Sequence, residues 1–86
     1  MPPRDPRLCP ALERALPADS DNDPPGYRRG RELREMLFGD GDWHPVTVRA
    51  WWRDKKGWLV VQAEWSAGGE LWTEAYIADP EKIREA

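Results

Sequence analysis

Apolar and polar side chains alternate along three successive stretches in the second half of the chain. Residues 46–53, 58–65 and 70–78 each repeat with a period of two, which is the period of a β-strand. Turns at 54–57 and 66–69 separate these stretches, and Gly57 suits a turn that needs positive φ. The pattern therefore predicts three antiparallel strands joined in a meander.

The aliphatic positions of these strands indicate which side faces a core. Val46 and Val48 share a side with Ala50 and Trp52, unless a bulge near Ala50 reverses the alternation. In the next strand the inward side carries every second residue, namely Leu59, Val61, Ala63 and Trp65. Trp52 and Trp65 are therefore expected in the core or at its rim.

Three tryptophans fall on the opposite, outward side. These are Trp51, Trp58 and Trp72, with Tyr76 beside Trp72, while Trp43 is placed to cap the core where its strand begins. Each Trp side chain carries ~150–250 Å² of surface, so three exposed rings would form a patch larger than soluble monomers usually show. We expect residues 1–26, a second copy of the chain or a ligand to cover this surface.

The stretch before the meander, residues 28–37, fits two kinds of element. In a helix, Leu33, Met36 and Leu37 would share one face, and two Arg–Glu pairs would lie four residues apart. In a strand, Leu33, Glu35 and Leu37 would alternate with Arg34 and Met36. The local pattern alone favours the helix.

The first 26 residues differ in composition from the rest of the chain. Seven of the nine prolines lie there, and all six tryptophans lie beyond. This contrast predicts one folded domain at residues 27–86, preceded by a disordered or loosely attached tail at residues 1–26. Leu8, Leu12 and Leu16 could share a helical face, but two turns are too short to be stable alone.

The balance of charge limits the classes of partner. The chain has 13 Lys and Arg against 16 Asp and Glu, a net charge of −3, whereas general nucleic-acid and anionic-membrane binders are usually basic. A local patch stays open as an alternative, because Arg49, Arg53, Lys55 and Lys56 surround Trp51, and bases among aromatic rings can bind nucleic acid. A solvated face with ion pairs is the competing interpretation.

The sequence has no motif for catalysis or metal binding. One cysteine, Cys9, and one histidine, His44, do not make the usual zinc ligand set, and a single cysteine fits a reducing cytoplasm. Asp40 and Asp42 lack the further ligands of a calcium loop. No nucleophile elbow, phosphate loop, secretory signal or apolar run of ~18–20 residues occurs. These absences predict a cytoplasmic protein that is not an enzyme and holds no metal or cofactor.

The order of motifs from Gly30 onwards resembles a Tudor-type barrel of the Src-homology-3-like fold. Gly-Arg-Glu-Leu at 30–33 precedes Asp-Gly-Asp-Trp at 40–43, and two turns and an Ile-Arg pair at 83–84 follow. The chain is also similar to short tryptophan-rich domains predicted from actinobacterial genomes. The resemblance covers residues 27–86 and departs from animal Tudor domains at 66–69, where those have an aromatic-Gly-Asn turn.

This resemblance implies a mainly β fold, a small five-stranded barrel. It changes the expectation for residues 32–38 from helix to first strand and adds a short last strand at 82–85. Closing the sheet is also physically reasonable, because an isolated three-stranded sheet leaves one apolar face and both edges open.

Together these observations predict a non-catalytic binding module. The expected contact surface for a peptide or protein partner consists of Trp51, Trp58, Trp72 and Tyr76. Arg49 and Arg53 would orient the partner through its carboxylates. Nucleic-acid binding through the same residues and a structural homodimer are the alternatives.

Overall fold

An antiparallel sheet of five strands makes up most of the protein. The computed structural model describes residues 5–17 and 23–86. After a short 3₁₀ turn, Pro6–Leu8, the strands are β1 (Arg28–Leu37), β2 (Trp43–Arg53), β3 (Leu59–Ala67), β4 (Glu70–Ile77) and β5 (Ile83–Glu85). Their order across the sheet is β4-β3-β2-β1-β5. In the described part of the chain, no helix has the length and apolar character needed to cross a membrane.

The mainly β prediction is confirmed, including the strand where local pattern favoured a helix. β1 pairs with β2 from Arg28↔Trp51 to Leu37↔Trp43, and its Met36 side chain is completely buried. Tertiary packing of this inward residue therefore overrides the helical pairs along the segment. β5 pairs with β1 at residues 34–36. However, β4 and β5 are the two edges of the order and no ladder joins them within the described residues, so the strands do not close a barrel.

A bulge in β2 reverses the alternation of side chains halfway along the strand. Val48 pairs with Ala63 and Ala50 pairs with Gln62, so Arg49 is an extra residue with no partner in β3. Because one inserted residue turns every later side chain to the other side, Trp51 joins the side that Val48 faces. The reversal that a bulge near Ala50 would cause is therefore the arrangement adopted.

The two-residue turn at Gly68 and Gly69 sets which side of β4 faces inward. Both glycines have positive φ, as this turn requires, and the register places Trp72 opposite Trp65 and Tyr76 opposite Val61. Directly paired residues share a side of the sheet. Trp72 and Tyr76 therefore lie on the core side, and the expectation that they face outward is wrong.

The bulge leaves apolar side chains on both faces of the sheet, where they form two clusters. The larger contains Leu12, Met36, Phe38, Val46, Val48, Val61, Ala63, Trp65 and Tyr76. The smaller lies on the other face and contains Ala50, Trp52, Val60 and Ala75. Ala15 and Tyr27, from outside the strands, pack against the smaller cluster.

Residues 9–15 connect the end of β1 to the edge of β4. The Ala11 N–H donates to the Leu37 carbonyl at 2.8 Å, and the Gly39 N–H donates to the Cys9 carbonyl at 3.0 Å. On the β4 side, the Ala15 N–H donates to the Ala75 carbonyl at 2.9 Å. This path differs from the disordered tail expected for residues 1–26. Residues 1–4 and 18–22 of that tail lie outside the described residues.

Leucine burial and a close backbone approach hold this segment on the sheet. Leu12 is only 6% exposed and belongs to the larger cluster, whereas Leu16 is 86% exposed, so the leucines do not share one helical face. The Trp65 Nε1–H donates to the Leu8 carbonyl at 3.0 Å. A Cβ on Gly39 would lie 2.1 Å from the Pro6 carbonyl oxygen, so only glycine fits beside the 3₁₀ turn.

We expect Leu12→Ala to lower the free energy of unfolding by about 2–5 kcal/mol, because it leaves a cavity in the larger cluster. The matched control, Leu16→Ala, truncates the exposed leucine of the same segment and should change it by less than about 0.5 kcal/mol. Urea unfolding followed by Trp fluorescence measures both. Equal, small effects would show that residues 9–15 do not contribute to the core.

We also expect Tyr76 to reduce stability in alkaline solution. Its phenol is 1% exposed, and burial, followed by the charge of Glu74 and by Cys9, raises its pKa far above the usual value. The neutral phenol is thus favoured in the folded state. Its contribution is complete below the unfolded pKa of about 10 and decreases as the pH rises above that value.

Unfolding by urea across that pH range, in wild type and Tyr76→Phe, tests this expectation. The wild type should lose stability more steeply than Tyr76→Phe. Cys9 titrates in both proteins, so the difference between them isolates the phenol. Parallel curves would contradict the burial of a neutral Tyr76.

Candidate functional site

The expected aromatic surface does not form as a single patch. Tyr76 is buried, and Trp51 and Trp72 are half-buried against the larger cluster. The Trp72 Nε1–H donates to the Ala67 carbonyl at 3.0 Å, which holds the ring at the end of the β3–β4 hairpin. The rings are turned inward by the β2 bulge and by the register of β4. Of the four predicted aromatic contact residues, only Trp58 stands clear of the sheet.

Trp51 lies between an arginine and a glycine of the neighbouring strand. The Arg28 guanidinium sits over its ring, 5.4 Å from the centroid, as in a cation–π contact. A Cβ on Gly30 would come within 2.8 Å of Trp51 Cζ3, so the ring lies directly on the backbone of β1. The ring is therefore used in packing β1 against β2.

The turn at residues 54–57 holds Trp58 outward, 53% exposed. Asp54 Oδ1 accepts from the backbone N–H groups of Lys56 and Trp58, both at 2.9 Å. The Asp54 N–H donates to the Trp58 carbonyl at 3.0 Å, and Gly57 supplies the positive φ, 81°. A carboxylate that accepts hydrogen bonds from two backbone N–H groups holds a turn of this kind in one conformation. The local sequence thus places an aromatic ring at the surface.

An apolar cleft of about 560 Å³ opens beside Trp58. Its buried members, Trp52 and Val60, belong to the smaller cluster, and Ile77 of β4 lies next to them. Residues 15–17 form one wall and residues 24–25 another. Binding sites for small molecules and peptide side chains are commonly concave and mostly apolar in this way.

A second hollow, of about 610 Å³, is also lined by Trp58 and extends towards residues 78–80 and Lys82. Both hollows are lined by Glu13, Arg53, Trp58 and Ile77. The two hollows are therefore neighbours and share the exposed ring in their lining.

Basic side chains outnumber acidic ones around the apolar cleft, with Arg14, Arg53, Lys55 and Lys56 against Glu13 and Asp54. Arg53, Lys55 and Lys56 are exposed, and within residues 5–17 and 23–86 none of them forms an ion pair. The Arg53 Nη1 donates to the Gly57 carbonyl at 3.3 Å, which directs the guanidinium along the turn. Arg49 is also exposed but lies at the bulge and lines neither hollow. Arg53 and Trp58 are thus the predicted site residues that the fold brings together.

The remaining chemically notable residues have structural contacts. His44 Nε2 lies 2.7 Å from Asp40 Oδ2 across the turn before β2. The amide of Asp42, followed by the His44 contact, lowers the pKa of Asp40. Burial raises the pKa of the Cys9 thiol, which leaves less reactive thiolate at neutral pH. The described ranges contain no group of three or more His, Cys, Asp or Glu side chains placed to hold a metal ion.

Sequence reasoning missed the walls of the cleft. Ala15 and Pro17 precede residues 18–22, which lie outside the described residues, and Pro24 and Pro25 follow them. The Arg53 N–H donates to the Pro25 carbonyl at 2.7 Å, and the Tyr27 N–H donates to the Pro24 carbonyl at 3.1 Å. Prolines without apolar periodicity gave no signal for these contacts.

Comparison of the chain with protein-family models, with curated proteins and with solved structures finds no match.

Proposed function

We propose that this protein is a non-catalytic binding module that holds a peptide segment of a partner protein beside Trp58. The observation that carries the proposal is an exposed tryptophan, 53% accessible, at the edge of an apolar cleft of about 560 Å³. A large rigid ring next to a concave apolar surface is typical of the few residues that dominate binding energy. The fixed turn below the ring also reduces the entropy that binding would cost.

Arg53 has the position to orient such a peptide. It lines both hollows beside Trp58, and its guanidinium has no carboxylate partner among the described residues. A guanidinium at the rim of an apolar cleft can bind a carboxylate with two parallel hydrogen bonds. In this proposal Trp58 provides the apolar contact, and Arg53 determines the direction in which the peptide binds. Trp51, Trp72 and Tyr76 keep the sheet together.

The finer fold assignment belongs to the same proposal. The resemblance to a Tudor-type, Src-homology-3-like barrel over residues 27–86 is supported by the meander of β1 to β4 and by the pairing of the last strand, β5, with the first. Residues 9–15 lie between the two ends of the sheet, where a barrel would close. We propose an open member of this architecture, acting in the cytoplasm.

A display library of random peptides, selected against the full chain, tests the proposed function. Selected peptides should lose at least about tenfold in affinity for Trp58→Ala, because the main apolar contact is removed. Leu71→Ala is the matched control, since Leu71 is 66% exposed but lines neither hollow. It should bind like the wild type. Selected peptides that bind Trp58→Ala and Leu71→Ala with equal affinity would contradict the proposal.

Nucleic-acid binding at the same place is the second candidate. Arg53, Lys55 and Lys56 favour it because they border an exposed ring on which a base could stack. The net charge of −3 argues against it. Fluorescence anisotropy with a single-stranded DNA oligonucleotide distinguishes the two. Tight binding that falls steeply with added salt would favour the second candidate.

A mass that doubles with concentration in light scattering, together with loss of peptide binding, would favour the homodimer.

A further inference from the structure

We propose that the open edge of β1, residues 28–33, binds an acidic, extended peptide as an added strand. This edge shares no residue with the cleft beside Trp58 and would be a second interaction surface. Within residues 5–17 and 23–86, two independent features carry the proposal: backbone groups without a strand partner, and a cluster of exposed arginines that outnumber the carboxylates near them.

The backbone of β1 is paired on one side only along this half of the strand. β2 pairs with β1 at residues 28–29 and 32–37, with an irregularity of the register at Gly30 and Arg31, whereas among the described residues β5 reaches only residues 34–36. The Leu37 N–H donates to the Lys82 carbonyl at 2.9 Å, while the Phe38 N–H donates to the Asp42 carbonyl at 2.9 Å, towards β2. Since successive residues point their hydrogen-bonding groups to opposite sides, Leu33 directs its N–H and carbonyl towards the open edge. Such an edge is a template for another strand.

Four arginines surround this edge. Arg28, Arg29 and Arg31 lie on it, and Arg49 is the bulged residue of β2 beside it; all four are exposed. Among the described residues none of the four forms an ion pair. Arg28 lies over Trp51, and the Arg29 Nε donates to the Tyr27 hydroxyl at 3.3 Å. Asp23 lies near Arg29, and Glu32 of the same edge pairs with Arg34, so the arginines exceed the carboxylates around them. An excess of positive charge at one edge of a protein with net charge −3 favours an anionic partner.

The arginines lie on both sides of the strand. Arg28 pairs with Trp51 and so shares its side of the sheet, whereas Arg29 pairs with Ala50, on the side of the smaller cluster. An added strand also alternates its side chains, so acidic residues at neighbouring positions would meet an arginine on each side. Leu33 is 64% exposed at the end of the edge and offers an apolar contact. The fitting ligand is therefore a peptide with paired acidic residues and an apolar residue.

A nucleic acid fits this edge less well than a peptide. Trp51 lies between Arg28 and the backbone of Gly30, and Tyr27 tilts against Trp52 with ring centroids 6.1 Å apart. Neither ring is free to stack on a base. Only a peptide would use the open hydrogen-bonding groups of the strand. A second copy cannot pair this edge with its own, because the arginines would repel one another.

The test uses the full chain, labelled with ¹⁵N, and a blocked peptide that repeats Glu-Glu-Val three times. The same repeat with Gln or with Lys in place of Glu serves as the control ligand. We expect the acidic peptide to shift the amide resonances of residues 28–33 and to slow hydrogen exchange at Leu33. The Gln and Lys peptides should do neither. Shifts confined to the surroundings of Trp58 would overturn the proposal.

Variants separate charge from strand pairing. Arg29→Glu with Arg31→Glu should lower the affinity for the acidic peptide by at least about tenfold, while Lys55→Glu with Lys56→Glu, an equal change of charge elsewhere, should alter it far less. Leu33→Pro removes one N–H from the open edge and should also weaken binding, by up to about tenfold, relative to Leu33→Thr. Affinity lost in the arginine variant but kept in Leu33→Pro would overturn strand addition.

Two further measurements cover the other outcomes. If Leu33→Pro is unfolded, the acidic peptide with every second amide N-methylated repeats the test on the ligand, and it should not bind. A single-stranded DNA oligonucleotide that displaces the peptide at equal concentration would assign the edge to nucleic acid. Light scattering without peptide would show a doubled mass if the β1 edge pairs with the Glu70–Glu74 edge of a second copy. Arg29→Glu with Arg31→Glu should then abolish the dimer, and this result would overturn the peptide proposal.

Discussion

One extra residue in the second strand decides which side chains meet in this protein. Arg49 has no partner in β3, and because of it Val48 and Trp51 face the same side of the sheet. Ala50 and Trp52 are turned to the other side, where they start the smaller cluster. A chain of 86 residues thus builds apolar contacts on both faces of one sheet. Neither face is left to carry a broad aromatic surface.

The smaller cluster explains where the cleft lies. Ala15, Tyr27 and Ile77 pack against this cluster. The cleft lies beside the buried Trp52 and Val60 and continues to the exposed Trp58. The same bulge therefore contributes both to the packing of the sheet and to the position of the cleft. It also places Arg49 opposite Gly30 and Arg31 of β1.

Much of the sheet could be predicted from local alternation, and the errors have physical causes. The strands of the meander and the turn with Gly57 follow from period-two patterns. Residues 46–49 alternate, but Ala50, Trp51 and Trp52 are three apolar residues in a row, so a bulge near Ala50 was one of two interpretations that the local pattern left open. The inward side of β4, in contrast, could have been found. Gly68 and Gly69 are a signal for a two-residue turn, and that turn sets Trp72 opposite Trp65.

The candidate site was predicted only in part. Trp58 and Arg53 lie beside a turn whose geometry is local, and both are exposed as expected. Tyr76 was predicted at the surface but is buried. An error of one residue in the register of a strand places each side chain on the opposite face of the sheet. The walls of the cleft come from residues outside the strands, far in sequence from Trp52 and Trp58, which line the same cleft. Contacts of that kind carry no local pattern, so periodicity could not reveal them.

The pairing of residues 9–15 with β4 has a consequence for how the chain folds during synthesis. This segment leaves the ribosome before any strand, whereas Ala75 and Ile77, to which it is hydrogen-bonded, emerge more than fifty residues later. It cannot pair with β4 during that interval, and Pro10 hinders it from forming a premature helix or hairpin. The segment is therefore made first but docks only after β4 has been made, and the β4 edge stays open to other chains until it does.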